Sequence, residues 1–457
     1  MTVCEETANP AQATATTTVA RGERATFLET SDLLGVARYL VRHEGRRSVS
    51  VGFIGYGPVR RGDRILLAVD TEFDLEVVGA MATALREAGA FVDVVQTTAE
   101  PDREFEPCDE IRVSIRRGHW LDDPRRWEGL PRIERLAERE GYDLLIHGKG
   151  GPIPRTAYRY EHFPWLGREH FLSRASTFPN DVHLLVNNLV WERLLEDGPG
   201  GSIHLTDPEG TDLRYSLLPG YFDGRHSKFG VPDPVLGHLH LHPLPPFLES
   251  HDTRGVIAGT TSHFERAFPR IELEVEGGVV QEIRGGGAYG DGWRALLEET
   301  RSILYPGYPR PGMFWPLEVA LGTNPKICRP SNVKMRSSGG FEWERRRAGV
   351  IHVGVGTAWR SETEQWAAAN QVPYGHLHVH LLFPTMVLTT AKGRDVTLVR
   401  DGHITALDDP RVRELAAAHG DPDELLALEW VPRIPGISCE GSYADYAADP
   451  ARYIYAA

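Results

Sequence analysis

Residues 65–95 have the sequence ILLAVDTEFDLEVVGAMATALREAGAFVDVV, and this stretch decides the fold class of the first part of the chain. It opens on five apolar residues, which is typical of a buried strand. Apolar side chains then recur at helical spacing at Val77, Val78, Met81 and Leu85. Gly89 is placed to end that helix, and a second apolar run begins at Phe91. The stretch therefore predicts one β-α-β unit.

A second helix and a third strand are predicted further along. Residues 132–140 are typical of a helix that ends at Gly141, and residues 142–147 are typical of another apolar strand. Up to about residue 190 we therefore expect a small α/β domain with a parallel sheet. No G-x-G-x-x-G motif follows the first strand, so the sequence lacks the loop that holds the phosphates of a dinucleotide.

The pattern becomes β-rich from about residue 201. Short turns separate alternating polar and apolar runs, which predicts two hairpins. The predicted strands cover residues 203–206, 213–217, 270–276 and 279–283. We expect a flexible tail over residues 1–24, an α/β domain over residues 25–195 and an α+β domain over residues 196–457.

Charge and composition exclude several classes of protein. The 457 residues include 50 basic and 64 acidic side chains, and a net charge of −14 disfavours binding to nucleic acid. The four cysteines form no C-x-x-C pair, so neither a disulfide framework nor a zinc knuckle is indicated. The N-terminus has no apolar run long enough for a signal peptide or a membrane span. We expect a cytoplasmic protein with reduced thiols, no membrane contact and a small-molecule substrate.

Six of the 19 histidines fall in two similar hexamers, GHLHLH at 237–242 and GHLHVH at 375–380. In a strand, residues two apart lie on one face about 6.5–7 Å apart, so the imidazoles line one side and the apolar residues the other. Three imidazoles on one face bury many polar nitrogens, or acquire charge together, unless a metal ion takes their lone pairs. The hexamers therefore predict a metal site, whereas a single histidine of this kind can equally be a satisfied core residue.

Two further residues are candidates for the same site. Glu318 lies in an apolar run, where an ionised carboxylate needs a partner, and a divalent metal commonly takes an anionic ligand. A buried salt bridge is the alternative for Glu318. His352 lies in another apolar run that ends at a glycine.

Four motifs carry a resemblance to a known family: RGD at 61–63, TDPEGTDL at 206–213, LEVALGTNP at 317–325 and GVIHVG at 349–354. Over residues 59–402 the sequence resembles the thermophilic-type metallo-aminopeptidases of the leucyl aminopeptidase-like superfamily. It equally resembles the related 2,5-dihydroxypyridine dioxygenase group, which shares their fold. The resemblance implies an aminopeptidase-like two-domain architecture, a metal-binding catalytic C-terminal domain and a homodimer.

The resemblance also implies a set of metal-binding positions. These are matched by Glu318, His352, His378 and His380, where the last two match the H-x-D pair of the aminopeptidases and His380 stands in place of its aspartate. A further glutamate of the family falls in the region of His238, His240 and His242, of which His240 is taken as a candidate ligand. Neutral imidazoles in place of bridging carboxylates let positive charge accumulate at a metal pair, so the peptidase centre looks altered.

Two imidazoles and one carboxylate are the ligands of mononuclear non-haem iron(II) oxygenases. We therefore predict an oxygenase that acts on a small aromatic or heterocyclic metabolite. In this hypothesis Glu318, His378 and His380 bind iron(II), and His352 or His376 moves protons.

Two alternatives stay open. The first is a metallo-aminopeptidase or amidohydrolase with one or two zinc, cobalt or manganese ions, in which Glu342 or Glu344 is the general base. We interpret these two glutamates as surface charges beside Arg345-Arg346-Arg347. The second alternative is a non-catalytic metal-binding or scaffold protein. In an enzyme, the pocket is expected between the two domains. Its candidate lining residues are Tyr374, Trp359, Phe264 and His263.

Overall fold

The computed structural model describes residues 32–43, 55–97, 110–111, 114–118, 130–148, 158–165, 167–217, 239–240, 252–263, 265–329, 344–357 and 361–454. Within these ranges no helix combines the length and the apolar character that a membrane crossing needs. The described part is a mixed α/β structure with one parallel sheet and two large antiparallel sheets.

The predicted β-α-β unit is confirmed. Helix α1 (Leu33–Arg42) packs beside α2 (Leu75–Glu87), which connects β1 (Arg64–Asp70) to β2 (Phe91–Thr97). The two strands pair in parallel along their whole length. Gly89 follows the helix with a φ of +97°, a left-handed conformation that favours glycine, so the helix ends where the sequence predicts.

The parallel sheet has the strand order β2-β1-β4-β5. Helix α3 (Leu130–Glu140) precedes β4 (Leu144–His147), and β5 (Arg159–His162) forms one edge. All neighbouring strands run parallel, as the sequence predicted for this part of the chain. The short strand β3 (Ile115–Arg116) belongs to a different sheet.

The rest of the described chain is mostly antiparallel, and both predicted hairpins are confirmed. The strands are β6 (Gly201–Thr206), β7 (Asp212–Leu217), β8 (Leu239–His240), β9 (Arg254–Thr261), β10 (Ala267–Glu276), β11 (Val279–Gly285), β12 (Trp315–Leu321), β13 (Ile351–Gly356), β14 (Tyr374–Leu381), β15 (Thr385–Thr389), β16 (Asp395–Arg400) and β17 (His403–Ile404). One sheet has the order β11-β10-β9-β7-β6-β15-β16-β17, and the other has the order β3-β14-β13-β12-β8.

Helices lie between and around these strands. They are α4 (Arg168–Phe171), α5 (Asn180–Asp197), α6 (Gly287–Thr300), α7 (Ser361–Ala369), α8 (Pro410–Ala417), α9 (Pro422–Leu426), α10 (Tyr443–Ala448) and α11 (Ala451–Ile454). Single 3-10 turns span Arg174–Thr177, Glu344–Arg346 and Thr405–Asp408. The domain boundaries predicted from the sequence stay predictions.

One apolar core joins the two antiparallel sheets. It contains Leu377, Val379 and Leu381 of β14 together with residues of β9, β10 and helices α5 and α6. The sheets approach so closely that a Cβ atom at Gly259 of β9 would lie 2.7 Å from Cγ1 of Val379. Because side chains alternate along a strand, this contact places the histidines of β14 on the opposite face.

Candidate metal centre

Three neighbouring strands bring a carboxylate and two imidazoles together. Glu318 of β12 pairs with Gly354 of β13, which pairs with His378 of β14, so these residues form one row across the sheet. His352 lies two residues from Gly354 on the same face. Nε2 of His378 is 3.2 Å from Oε2 of Glu318, and Nε2 of His352 is 3.5 Å from Oε1. We call Glu318, His352 and His378 the carboxylate triad.

The glycine in the middle of this row makes the contact between its neighbours possible. A Cβ atom at Gly354 would lie 2.9 Å from both Cβ and Oε2 of Glu318, and 3.1 Å from Cδ2 of His378. Distances this short do not occur without displacement of the neighbours, so the absence of a side chain gives the carboxylate room beside the imidazole.

Burial keeps the imidazoles of the triad neutral. It is the largest influence on His352, whose pKa it lowers to about 3 although Glu318 opposes it. Burial, followed by the neighbouring His263, also holds the pKa of His378 well below its ordinary value. Neutral imidazoles have a lone pair to donate, and the ligand atoms of the triad all lie within 4.8 Å of one another. The triad therefore has the residue types and the spacing to hold a metal ion.

A second group of three histidines shares His378. His263, in the turn after β9, stacks edge-on against His378 with ring centroids 3.9 Å apart, and their Nδ1 atoms are in hydrogen-bond contact. His376 lies 5.7 Å from the His263 ring, and 27% of its side chain is exposed. The ligand atoms of His263, His376 and His378 also lie within 4.8 Å of one another. We call these residues the histidine trio.

A buried carboxylate holds the turn that carries His263. Glu110 accepts a hydrogen bond from the backbone N–H of His263 at 3.1 Å and another from the hydroxyl of Tyr289 at 3.0 Å. The hydroxyl of Ser262 also donates to it. Burial, followed by Arg345, holds the pKa of His263 well below its ordinary value, so this imidazole is neutral too.

His380 lies in neither group. Its Nδ1 is 2.7 Å from Oε1 of Glu344, and Nε of Arg329 donates to the other carboxylate oxygen at 2.5 Å. Burial alone would raise the pKa of Glu344, but Arg329 and His380 lower it below its ordinary value. The ring of His380 lies 5.9 Å from that of His352 and 6.4 Å from that of His378. It therefore borders the triad rather than completing it.

The interpretation of Glu344 as a surface charge is wrong, and the same holds for the arginines that follow it. Glu344 is fully buried, and Arg345, Arg346 and Arg347 are each at most 6% exposed. Residues 344–347 resemble a solvent-exposed charge cluster only in the sequence. In the structure, the 3-10 turn contacts β14 through Glu344 and His380, and Nε of Arg347 donates to the carbonyl of Trp430 at 2.7 Å.

Two other candidate residues, His240 and Tyr374, lie in strands of the same sheet. His240 of β8 pairs through its backbone with Ala320, the residue beside His352, so it shares a row with the centre. Tyr374 is buried at the start of β14. The side chain of His240 and several other candidates lie outside the described residues, namely His238, His242, Phe264, Glu342 and Trp359.

Comparison with known proteins gives a distant structural relationship only. No protein-family model matches the sequence, and no curated protein matches it. Among solved structures, 2,5-dihydroxypyridine dioxygenase from Pseudomonas putida KT2440 is similar, with a TM-score of 0.44 and 14% identity over 81% of this chain and 96% of that chain. AmpT from Thermus thermophilus gives a TM-score of 0.42 and 15% identity over 81% of this chain and 98% of that one. The function must therefore be argued from the site itself.

Proposed function

We propose that this chain is a mononuclear non-haem iron(II) oxygenase whose metal ligands are Glu318, His352 and His378. The observation that carries the proposal is the carboxylate triad: one carboxylate and two neutral imidazoles, all buried, with ligand atoms within 4.8 Å of one another. This ligand set suits iron(II) and leaves coordination positions open, and the ion would supply the redox chemistry of the reaction. The substrate class, a small aromatic or heterocyclic metabolite, follows from the sequence resemblance.

The residues around the triad have separate tasks in this proposal. Glu318 would offset one charge of the ion, and the burial of His352 and His378 keeps water away from the ligand atoms. His376 is the half-buried member of β14, and its Nε2 lies 3.8 Å from Oε2 of Glu318. From this position it can hold or move a proton at the edge of the site. His380, which the sequence suggested as a ligand, borders the triad with its Nδ1 fixed by Glu344.

The hydrolase alternative is weaker on the same observations. A hydrolytic centre needs a general base whose pKa lies near the working pH. The carboxylate of Glu344 is engaged by Arg329 and His380, and they lower its pKa, which makes it a poor base.

Oxygen uptake by anaerobically purified protein loaded with iron(II) tests the proposal, with a panel of hydroxylated pyridines and benzoates as substrates. We expect one iron per chain and oxygen uptake that depends on one of these substrates. Glu318→Ala should abolish both, whereas His403→Ala, a change at a half-exposed histidine paired with Asp408, should leave both unchanged. Two zinc ions per chain and release of an amino acid from a peptide amide would refute the oxygenase proposal.

A further inference from the structure

We propose that the histidine trio of His263, His376 and His378 is a second metal position, which selects zinc-type ions and competes with the carboxylate triad for His378. The proposal goes beyond the oxygenase function and concerns which ion the centre holds. It stands on the arrangement of four side chains around one shared imidazole, that of His378.

His378 lies between the two groups and presents one nitrogen to each. Its Nε2 is 3.2 Å from Oε2 of Glu318, and its Nδ1 contacts Nδ1 of His263. A neutral imidazole has a lone pair on one nitrogen and a proton on the other, so it can ligate a metal on one side only. The centre therefore holds one ion at a time, in one of two positions.

Each group supplies the hydrogen-bond partner that the other position requires. When Nε2 of His378 is the ligand, Nδ1–H can donate to Nδ1 of His263, which then orients the ring. When Nδ1 is the ligand, Nε2–H can donate to the carboxylate of Glu318. Partners of this kind fix the tautomer and orientation of a ligating histidine. Both tautomers of His378 are therefore supported by the same surroundings.

The two positions differ in ligand chemistry. The triad includes a carboxylate, which suits iron(II) and manganese(II), whereas the trio offers three imidazoles, a ligand set that zinc accepts readily. They also differ in access, because 27% of the His376 side chain is exposed while the side chains of His352 and His378 are fully buried. Zinc in the trio removes His378 from the triad, so it should expel iron.

Hydrogen bonds to a buried carboxylate hold one member of the trio, His263, in place. Glu110 accepts hydrogen bonds from Ser262, from the backbone of His263 and from Tyr289, which fixes the turn that brings His263 to β14. Partners that hydrogen-bond to a ligating side chain contribute a factor of about 10–100 to metal affinity, and Glu110, which acts through the backbone of His263, should contribute at the lower end. Glu110 touches neither Glu318 nor His352 in these contacts, and the triad uses His263 only as the hydrogen-bond partner of His378, so the loss of Glu110 should disturb the trio more than the triad.

Competitive titration of the metal-free full chain with zinc(II) and, anaerobically, with iron(II) tests the proposal. Wild type should bind one ion of either kind per chain. Glu318→Ala should reduce iron(II) affinity by at least about 100-fold and zinc(II) affinity by only about tenfold, because Glu318 is a ligand in the triad and a hydrogen-bond partner of His378 in the trio. His376→Ala should show the reverse selectivity, and His378→Ala should lose both ions. Glu318→Gln, which keeps the side-chain volume, repeats the first test if the alanine variant does not fold.

Two control variants separate the trio from general effects on the protein. Glu110→Gln should weaken zinc(II) binding about tenfold and iron(II) binding by a clearly smaller factor, whereas His403→Ala should alter neither. Equal loss of both ions in Glu318→Ala would show that the trio is not a separate position, and two zinc ions in wild type would refute the sharing of His378. Iron binding without substrate-dependent oxygen uptake would instead reject the oxygenase proposal and leave this one standing.

Discussion

Strand β1 of the parallel sheet and strand β14 of the antiparallel sheet are both buried along nearly their whole length, yet they bury different chemistry. In β1 the buried run from Ile65 to Val69 is apolar on both faces. In β14 one face is apolar and the other is made of imidazoles. Burying a polar group costs free energy unless the group is hydrogen-bonded or ligates a metal. The apolar side chains of β1 therefore favour stability, whereas the buried imidazoles of β14 need partners or a metal. We infer that β1 contributes to holding the fold and that β14 holds the centre.

The largest expected effect tests the first half of this comparison. Leu67 is fully buried in β1 between Val94 of β2 and Ile146 of β4. Leu67→Ala removes buried apolar contacts and leaves a cavity, so we expect the free energy of unfolding to fall by about 3 kcal/mol. Urea denaturation of the metal-free protein measures it. A loss below about 1 kcal/mol would show that this sheet is not well packed.

His378→Leu tests the second half. Replacing a buried imidazole by an apolar residue of similar size removes a polar group from the interior but also removes a contact of His263 and Glu318, so the stability of the metal-free variant should change by less than about 1.5 kcal/mol. Its iron(II) affinity should fall by at least about 100-fold, which corresponds to about 2.7 kcal/mol. Parallel denaturation and metal-binding curves measure both quantities. A variant that is clearly less stable without metal would mean that His378 is a structural residue.

Gly354→Ala asks whether the gap between Glu318 and His378 matters. The new Cβ would lie 2.9 Å from the carboxylate and displace it, so we expect iron(II) affinity to fall about tenfold, or about 1.4 kcal/mol. Gly79→Ala is the matched control, because a Cβ atom there meets nothing within 4 Å. An unchanged iron(II) affinity in Gly354→Ala would mean that the Glu318 carboxylate is not a ligand of the metal.

The smallest effect concerns a buried histidine outside the centre. His183 of α5 lies 2.9 Å from Oγ1 of Thr323, and burial lowers its pKa from 6.5 to about 3. Between these values the unfolded chain binds a proton that the folded chain does not, so stability present above pH 6.5 is lost as the pH falls. From about pH 6.5 to pH 5.5, wild type should lose about 1 kcal/mol more than His183→Gln. Denaturation curves at both pH values measure the difference, and equal losses would contradict the assignment.

Much of the fold could be predicted because its signals are local. The β-α-β unit and both hairpins follow from runs of apolar residues, alternation and glycine turns within a few residues of one another. The same locality identified Glu318, His352 and the histidines of β14 as candidates, since each is a polar residue in an apolar strand.

The partners of these residues could not be predicted in the same way. His263 meets His378 across 115 positions of sequence, and Glu344 meets His380 across 36. Both partners lie in turns, where no periodicity marks a buried residue. Glu344 is followed by three arginines, a pattern that indicates a solvent-exposed segment. Only the folded structure shows that these four residues are buried.

A crystal structure of the anaerobic iron(II)-loaded protein, with an anomalous difference map recorded at the iron edge, tests the central claim most directly. The account predicts one anomalous peak per chain, bound by the Glu318 carboxylate and by Nε2 of His352 and His378. A peak on the His263 and His376 side, or a pair of peaks bridged by Glu318, would contradict it.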